Sequence, residues 1–488
     1  MTELAMSRSD ADPAVPESGN SGLPRTLNSF TLGFIFVAFA APLSVVAGWL
    51  QPVIAFGNGL GAPVAFLAAG LLVLLFQIGV LAMSRNMKRP GAFYTYIAVG
   101  IGRPAALSGS FLAIVAYSTL TVSGYVYTGL ITGNLMKQLT GDTLLPWQAW
   151  GLVIFAIVVT LNLLRVDLSA KAIAVIVVVE IVIVAVYQLS VVLDGGPGGY
   201  SPASFSPVEF LGGSPGIALL FALSTLTGLE ALSVFREEVR DPDRTVPRAA
   251  YGAITFSAIF FALAAWAYIV AVGPSDVVEV ARTAPVETFM DTVGAYLGGF
   301  APTLVAVVLV TSQIAAVNSG QATAVRYLYA LGHDRVLPPI LARVHSRLGS
   351  PHISVMVSVG LCLTLYLFVQ SLTSNPALIY GIIGGFGTIF LLPLLLATCA
   401  SVVLHFRRTP GHGESVWKSR IAPALAFIGL GSVLVLALAN LDLVVGNQLA
   451  GALGACALLL VIGTGIALAL RLRSRNPEAY NRIGRQGA

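Results

Sequence analysis

The chain has 488 residues, 56% of them apolar and only 10% charged, with a mean hydropathy of +0.86. Soluble domains carry about 25% charged residues, so the composition excludes a soluble enzyme or free-standing binding domain and indicates a multi-spanning membrane protein. The net charge of +5 does not point to a nucleic-acid partner, because the basic residues sit in alternate loops, where they act as topological anchors.

Residues 1–29 are polar, contain Pro and Ser, and lack the apolar core of a cleavable signal. They are predicted to be a disordered cytoplasmic tail. Twelve windows of about 20 apolar residues follow, near 30–50, 61–83, 104–135, 147–164, 168–193, 215–236, 248–272, 299–330, 353–371, 376–404, 421–440 and 447–470. They show no dyad alternation, so they are helices rather than barrel strands. The third and eighth are long enough to tilt or to extend past the bilayer. Between the first two spans, FGNGLGAP at 56–63 superficially resembles a phosphate loop, but its place makes it a turn. With the N-terminus inside, all of the 27 Lys and Arg residues except Lys137 and Arg282 fall on one face. Lys and Arg are retained on the cytoplasmic side. Both termini are therefore expected in the cytoplasm, in a multi-pass protein of the plasma (inner) membrane. Cys362, Cys399 and Cys456 all lie in apolar runs without disulfide or metal-ligand spacing, and read as small core residues.

The first span, FIFVAFAAPLSVVAGWL, places Pro42 at mid-membrane among Ala40, Ala41, Leu43, Ser44 and Gly48. Proline removes a donor and clashes with the preceding turn. The sixth span has a matching weak point, Thr225 to Gly228, within IALLFALSTLTGLEALSVFR. Interrupted helices in corresponding positions of two halves mark the site of an inverted-repeat transporter.

Once the loops are subtracted, two ionisable residues remain deep in spans: Glu230, beside the sixth-span weak point, and Glu180 in VIVVVEIVIVA. A mid-membrane charge costs roughly 2.5–3.5 kcal/mol on insertion scales and is rarely there without a task. Withdrawn from water, a carboxyl can carry a proton, pair with an ammonium or help hold a cation. The bland reading for each is a protonated group bonded to a neighbouring helix. For Glu230 the adjacent break favours function. For Glu180 both readings stay open. In the eighth span Thr311, Ser312, Asn318, Ser319 and Thr323 fit interhelical bonding, worth about 0.6–2 kcal/mol per contact. Tyr117, Ser123, Tyr125 and Tyr127 in the third could line a pathway or simply pack.

Three blocks carry a family resemblance. GLEALSVFREEVRDPDRTVPRA is similar to the sixth-helix signature of the amino acid–polyamine–organocation (APC) superfamily. SRNMKRPGAFYTYIAVGIGRP resembles its loop after helix two, and AAVNSGQATAVRYLYALGHDRVLP with VHSRLGSPHISV resembles the end of helix eight and the following loop. The blocks fall in the family's order and spacing over residues 25 to about 405. The resemblance implies an all-α integral membrane fold of the LeuT-like 5+5 inverted-repeat type, with 12 transmembrane helices and helices 1 and 6 interrupted. The transport core would span 30–404, with repeats at about 30–193 and 215–404. A cytoplasmic loop and peripheral helices 11 and 12 would occupy 405–470, and a basic cytoplasmic tail 471–488. It places the substrate at Ala40, Ala41, Pro42, Leu43 and Ser44 with Thr225, Thr227 and Gly228. It gives Glu230 a role in proton-linked gating, and makes Arg326 a structural residue closing helix eight.

Two departures from the family pattern bear on the substrate. Proline at 42 offers no N–H where members bind a carboxylate through a glycine–serine–glycine break, which favours a ligand lacking that group. Glu180 stands where some members place a lysine.

The expected function is secondary active transport of amino acids across the plasma membrane by alternating access, coupled to protons. The alternatives are a carrier of polyamines or other organic amines, and a nutrient sensor on the same fold. No enzyme activity or cofactor is expected, since all five histidines lie in loops and no Walker motif occurs. The partners expected are a small amino acid or amine, the proton and the lipid bilayer, with no nucleic acid.

Overall fold

In the computed structural model, residues 29–87, 92–164, 170–226, 228, 241–346, 349–371, 373–411, 413–445 and 448–484 are described. Helices account for the regular structure throughout, and no strand occurs among the described residues. In chain order they include α1 (Ser29–Ala40), α2 (Ala62–Arg85), α3 (Phe93–Gly100), α4 (Arg103–Thr140), α5 (Trp147–Leu164), α6 (Ala170–Asp194) and α7 (Pro215–Ser224). There follow α8 (Pro242–Val272), α9 (Pro285–Leu297), α10 (Ala301–His333), α11 (His352–Gln370), α12 (Pro376–Arg408), α13 (Ala422–Ala439), α14 (Gln448–Arg475) and α15 (Pro477–Arg482). Ten helical stretches are long and apolar enough to cross a bilayer among the described residues, which makes this a multi-pass membrane protein.

Ten differs from the twelve windows of the sequence for two local reasons. Residues 42–58 lead into α2 through α and π turns, so the parts of the first two windows within Pro42–Arg85 form one bent stretch with a corner between them. Its corner is at Gly57, whose φ/ψ of −96° and −118° is non-helical, and at Gly59 with φ 56°, so the glycine-rich stretch is a turn as expected. In the sixth window only the short α7 is described, and Glu230 lies outside the described residues.

The interruption of helix one is visible, and α7 ends where the second is expected. Helix α1 stops at Ala40, and Ala41 takes the left-handed conformation (φ 46°, ψ 75°) before Pro42 opens the next helical turn. Such a conformation costs a residue with a Cβ roughly 1–2 kcal/mol. Helix α7 stops at Ser224, and beyond Thr225 and Leu226 the backbone reaches Gly228 with φ 95°. Thr227 lies outside the described residues.

The centre of the bundle is α4 packed against α10 and α12. Small residues let these backbones approach, as is general where no hydrophobic drive separates helix from lipid. A Cβ on Gly124 would sit 2.6 Å from Val317, and one on Gly387 2.6 Å from Leu120. As expected, α4 and α10 are long, at 38 and 33 residues.

One end of the bundle gathers the basic loops. Arg85 pairs with Glu414 at 2.9 Å, Arg408 donates to the Gly100 carbonyl at 2.9 Å, and Arg335 lies 3.9 Å from Glu478. Arg103 stacks 5.1 Å over the Tyr480 ring. The stretch expected to be a basic tail includes α15, and it docks here. Ala479 and Ile483 are buried, and the Gly484 N–H donates to Asp334 at 3.3 Å, where the Tyr94 hydroxyl also donates at 3.3 Å. Burial pushes the Asp334 carboxyl above its ordinary value, while these two hydrogen bonds pull the other way.

Candidate functional site

A cavity of about 160 Å³ lies between the two helix breaks. Sites for drug-sized ligands run to roughly 300–1,000 Å³, so this one suits a small solute. Its wall at the breaks is Ala40, Ala41 and Ser44 on one side and Ser224, Thr225 and Gly228 on the other. Helix α10 contributes Gln313, Ala316, Val317 and Gly320, and α4 contributes Tyr117, Leu120 and Thr121. Trp49 closes one end, while Ala92, Arg326 and Tyr327 extend it toward the basic end.

The electrostatics follow from the helix ends. The last turns of α1 and α7 both finish at the cavity. Each helix C-terminus leaves carbonyls without helical partners and carries the negative end of the dipole. On α7 three of these are engaged, since Ser224 Oγ donates to Phe221 O, Thr225 Oγ1 to Ala222 O and the Leu226 N–H to Leu223 O. The opposing positive end, at the turn that starts with Pro42, is already occupied. Pro42 has no N–H, and the Leu43 N–H donates to Glu180 Oε2 at 3.1 Å. The described helix ends around the cavity therefore favour a cation. The hydroxyls of Ser44 and Thr121, both on the cavity wall and both buried, have no hydrogen-bond partner among the described residues.

Glu180 is fully buried on α6, behind the helix-one break rather than on the cavity wall. The Ser312 hydroxyl of α10 stands beside its carboxylate, and Oε1 has no hydrogen-bond partner among the described residues. A buried carboxyl with one oxygen engaged and one unengaged is equipped to take a proton or a small cation. It also acts as the cap of the second half of helix one, a side chain supplying from α6 what an N-cap normally supplies from its own chain.

Of the residues expected to bind substrate, Ala40, Ala41, Ser44, Thr225 and Gly228 come together on the wall, while Pro42 and Leu43 are buried behind it. Thr227 and Glu230 fall outside the described residues. Arg326, expected to be structural, stands on the wall at the basic end and has interactions of its own. The polar residues of α10 divide. Asn318 accepts from Asn162 of α5 at 2.7 Å, Ser319 and Thr311 bond within their own helix, and Ser312 belongs to Glu180. Tyr125 pairs with Gln321, and Tyr117 lines the cavity. Gln313 and Trp49 were not singled out in the sequence. The signal for Gln313 was present, a carboxamide in an apolar run followed by Ala316, Gly320 and Thr323 at helical spacing.

The strain at Ala41 gives a direct expectation. Ala41→Gly relieves the left-handed penalty but adds freedom to the unfolded chain, about 0.4–1 kcal/mol. The net expectation is a stabilisation of up to about 1 kcal/mol, read as a raised unfolding midpoint of the purified protein. A lowered midpoint would exclude strain at this position.

A sequence profile of the amino acid permease family matches residues 31–478. An uncharacterised transporter of Mycobacterium tuberculosis is 35% identical over 136 residues, covering 27% of this chain and 28% of that protein. The D-serine/D-alanine/glycine transporter of Escherichia coli is 25% identical over 329 residues, 62% of this chain and 66% of that transporter. The chain thus spans about a quarter of the mycobacterial relative and just under two thirds of the other. The profile match runs from the first helix through the interrupted segments to α15, and on it the chain belongs to the amino acid permease family.

Proposed function

We propose that the protein is a secondary transporter that moves a small ammonium-bearing solute, an amino acid or an amine, by alternating access coupled to protons. The observation that carries this reading is the contact between Glu180 and the helix-one break, just behind the wall of a cavity that lies between that break and the end of α7. The two helix C-termini at the cavity suit an ammonium. A proton arriving at Glu180 weakens the cap on the Leu43 N–H, loosening one half of helix one against the other. Substrate and proton then bias the same two-state element, which is what coupling requires.

In this reading the basic end is cytoplasmic, the protein lies in the plasma membrane, and the twelve spans form two inverted repeats with both termini inside. The name of the E. coli relative favours small amino acids. A second reading, an amine without a carboxylate, is favoured by the amide inventory: Pro42 lacks an N–H, and that of Leu43 is engaged by the protein's own carboxylate. A thermal-shift panel of paired amino acids and their decarboxylated amines on the purified protein, followed by proteoliposome uptake, tests both. A ligand at 100 times its Kd stabilises by about 2.7 kcal/mol. Binding without accumulation would replace transport by sensing, and no response to any member of the panel would overturn the substrate class.

A further inference from the structure

Between the cavity and the end opposite the basic one lies a plug of three rings. Trp49 comes from residues 42–58, Tyr127 from α4 and Tyr380 from the first turns of α12. Tyr380 and Tyr127 are each 1% exposed, and their centroids are 5.0 Å apart. The Trp49 indole meets Tyr380 edge-on at 6.2 Å. Two glycines let the rings interlock. A Cβ on Gly384, one turn below Tyr380, would stand 2.3 Å from the indole Cη2, and one on Gly48 would stand 2.5 Å from Tyr127 Cζ. Neither distance is physically tolerable, so a methyl group at either place and a seated ring exclude each other.

Two hydrogen bonds hold the plug together. The Tyr380 hydroxyl donates to the Gly48 carbonyl at 2.9 Å, and the Tyr380 carbonyl accepts from Ser123 Oγ at 2.7 Å. Gly48 belongs to the π turn Val45–Trp49, a local irregularity of a kind that recurs at functional sites. The Tyr127 hydroxyl, by contrast, is buried with no hydrogen-bond partner among the described residues. Opening to water would satisfy it, whereas closure is held by the Tyr380 bond. The plug thus has one hydroxyl bonded across it and one that water would satisfy, an asymmetry that suits a two-position element.

We propose that Tyr380 is the positioning residue of a gate that closes the cavity at this end. Its hydroxyl ties α12 to the second half of helix one when Trp49 is seated against Gly384, and this tie breaks each time the cavity opens to that face. The proposal rests on the transport reading above for its purpose, and on the ring geometry for its existence.

Side-specific labelling tests it. The reporter is Ala316→Cys on the cavity wall, in full-length protein carrying Cys456→Ser to remove the exposed native thiol; Cys362 and Cys399 are buried. Oriented proteoliposomes receive a membrane-impermeant methanethiosulfonate from either face. The reporter is expected to react from the basic face and slowly from the other. Gly384→Ala raises the rate from that other face about tenfold, and Tyr380→Phe, which keeps the ring and removes only the bond, raises it by a smaller factor. In uptake by chains without the reporter, Tyr380→Phe lowers turnover more than it shifts the half-saturating concentration. An unchanged rate from that face in both variants, at parental unfolding midpoints, overturns the gate while leaving the transport reading intact. The expected labelling in a protein that accumulates no solute from the panel leaves the gate standing and removes the transport reading instead.

Discussion

Glu180→Gln is expected to uncouple uptake from an imposed pH gradient while leaving solute binding in place. The glutamine carbonyl can still accept the Leu43 N–H that now meets Oε2 at 3.1 Å, so the cap on the broken helix keeps its geometry. What is lost is the exchangeable proton and the charge assistance. A neutral hydrogen bond contributes about 1 kcal/mol and one to a charged group about 1.5–3, so the balance between the two helix-one positions shifts by roughly a factor of ten. Proteoliposome uptake with and without a pH gradient measures this. Accumulation that still follows the gradient would return Glu180 to a purely structural cap. A parental unfolding midpoint in the variant would show that the fold is not what changed.

The second large effect is expected at Glu230. Glu230→Gln abolishes concentrative uptake driven by a pH gradient and leaves exchange of internal for external solute partly intact. Exchange needs only that the loaded carrier change sides, whereas net uptake also needs the empty carrier to return. A carboxyl that the sequence places mid-span beside a weak point of the sixth window, at a cost of roughly 2.5–3.5 kcal/mol, would serve that return step through its proton. Counterflow and net uptake in the same vesicles separate the two. Equal losses in both would assign Glu230 to solute binding, and unchanged accumulation would remove it from coupling altogether. The two substitutions also differ from one another in reach. Glu180 contacts the helix-one half of the site, and Glu230 belongs by sequence to the helix-six half, so a double variant tests whether the protons act on one element or two.

Much of the architecture was legible because hydropathy is a one-dimensional property. The two long helices, the turn at 56–63 and the break at Ala41 each followed from local sequence: span length, glycine density, and a proline among small residues. The cavity wall was legible only where it coincided with those breaks. Ala40, Ala41, Ser44, Thr225 and Gly228 were found for that reason. Trp49, Gln313 and Tyr380 were not, because inside a bilayer apolar periodicity no longer separates a buried face from an exposed one. Their roles come from contacts between distant parts of the chain. Tyr380 and Gly48 are 332 residues apart, and Glu180 and Leu43 are 137 apart. The sequence offered Glu180 two readings, coupling or packing. The structure adds a third fact, that it caps the broken helix from outside, which is compatible with either and gives the first a physical route. The π turns in residues 42–58 have no sequence signature of their own, while the corner at Gly57 separates the two windows that the sequence offered there.

The docking of α15 separates the order in which this protein is made from the order in which it is finished. Asp334 gathers the Tyr94 hydroxyl from 240 residues earlier and the Gly484 N–H from 150 residues later. A Cβ on Gly484 would lie 2.4 Å from Ala98 Cβ, so the last described residue is seated hard against α3, near the start of the bundle. While a ribosome is still translating α14, the central helices can already be inserted, yet the basic end lacks one donor to a buried carboxylate and the two side chains, Ala479 and Ile483, that cover its seat. Completion of that end therefore follows synthesis of the helices it covers, and until α15 docks the inserted chain presents an unfinished surface to whatever inspects new membrane proteins.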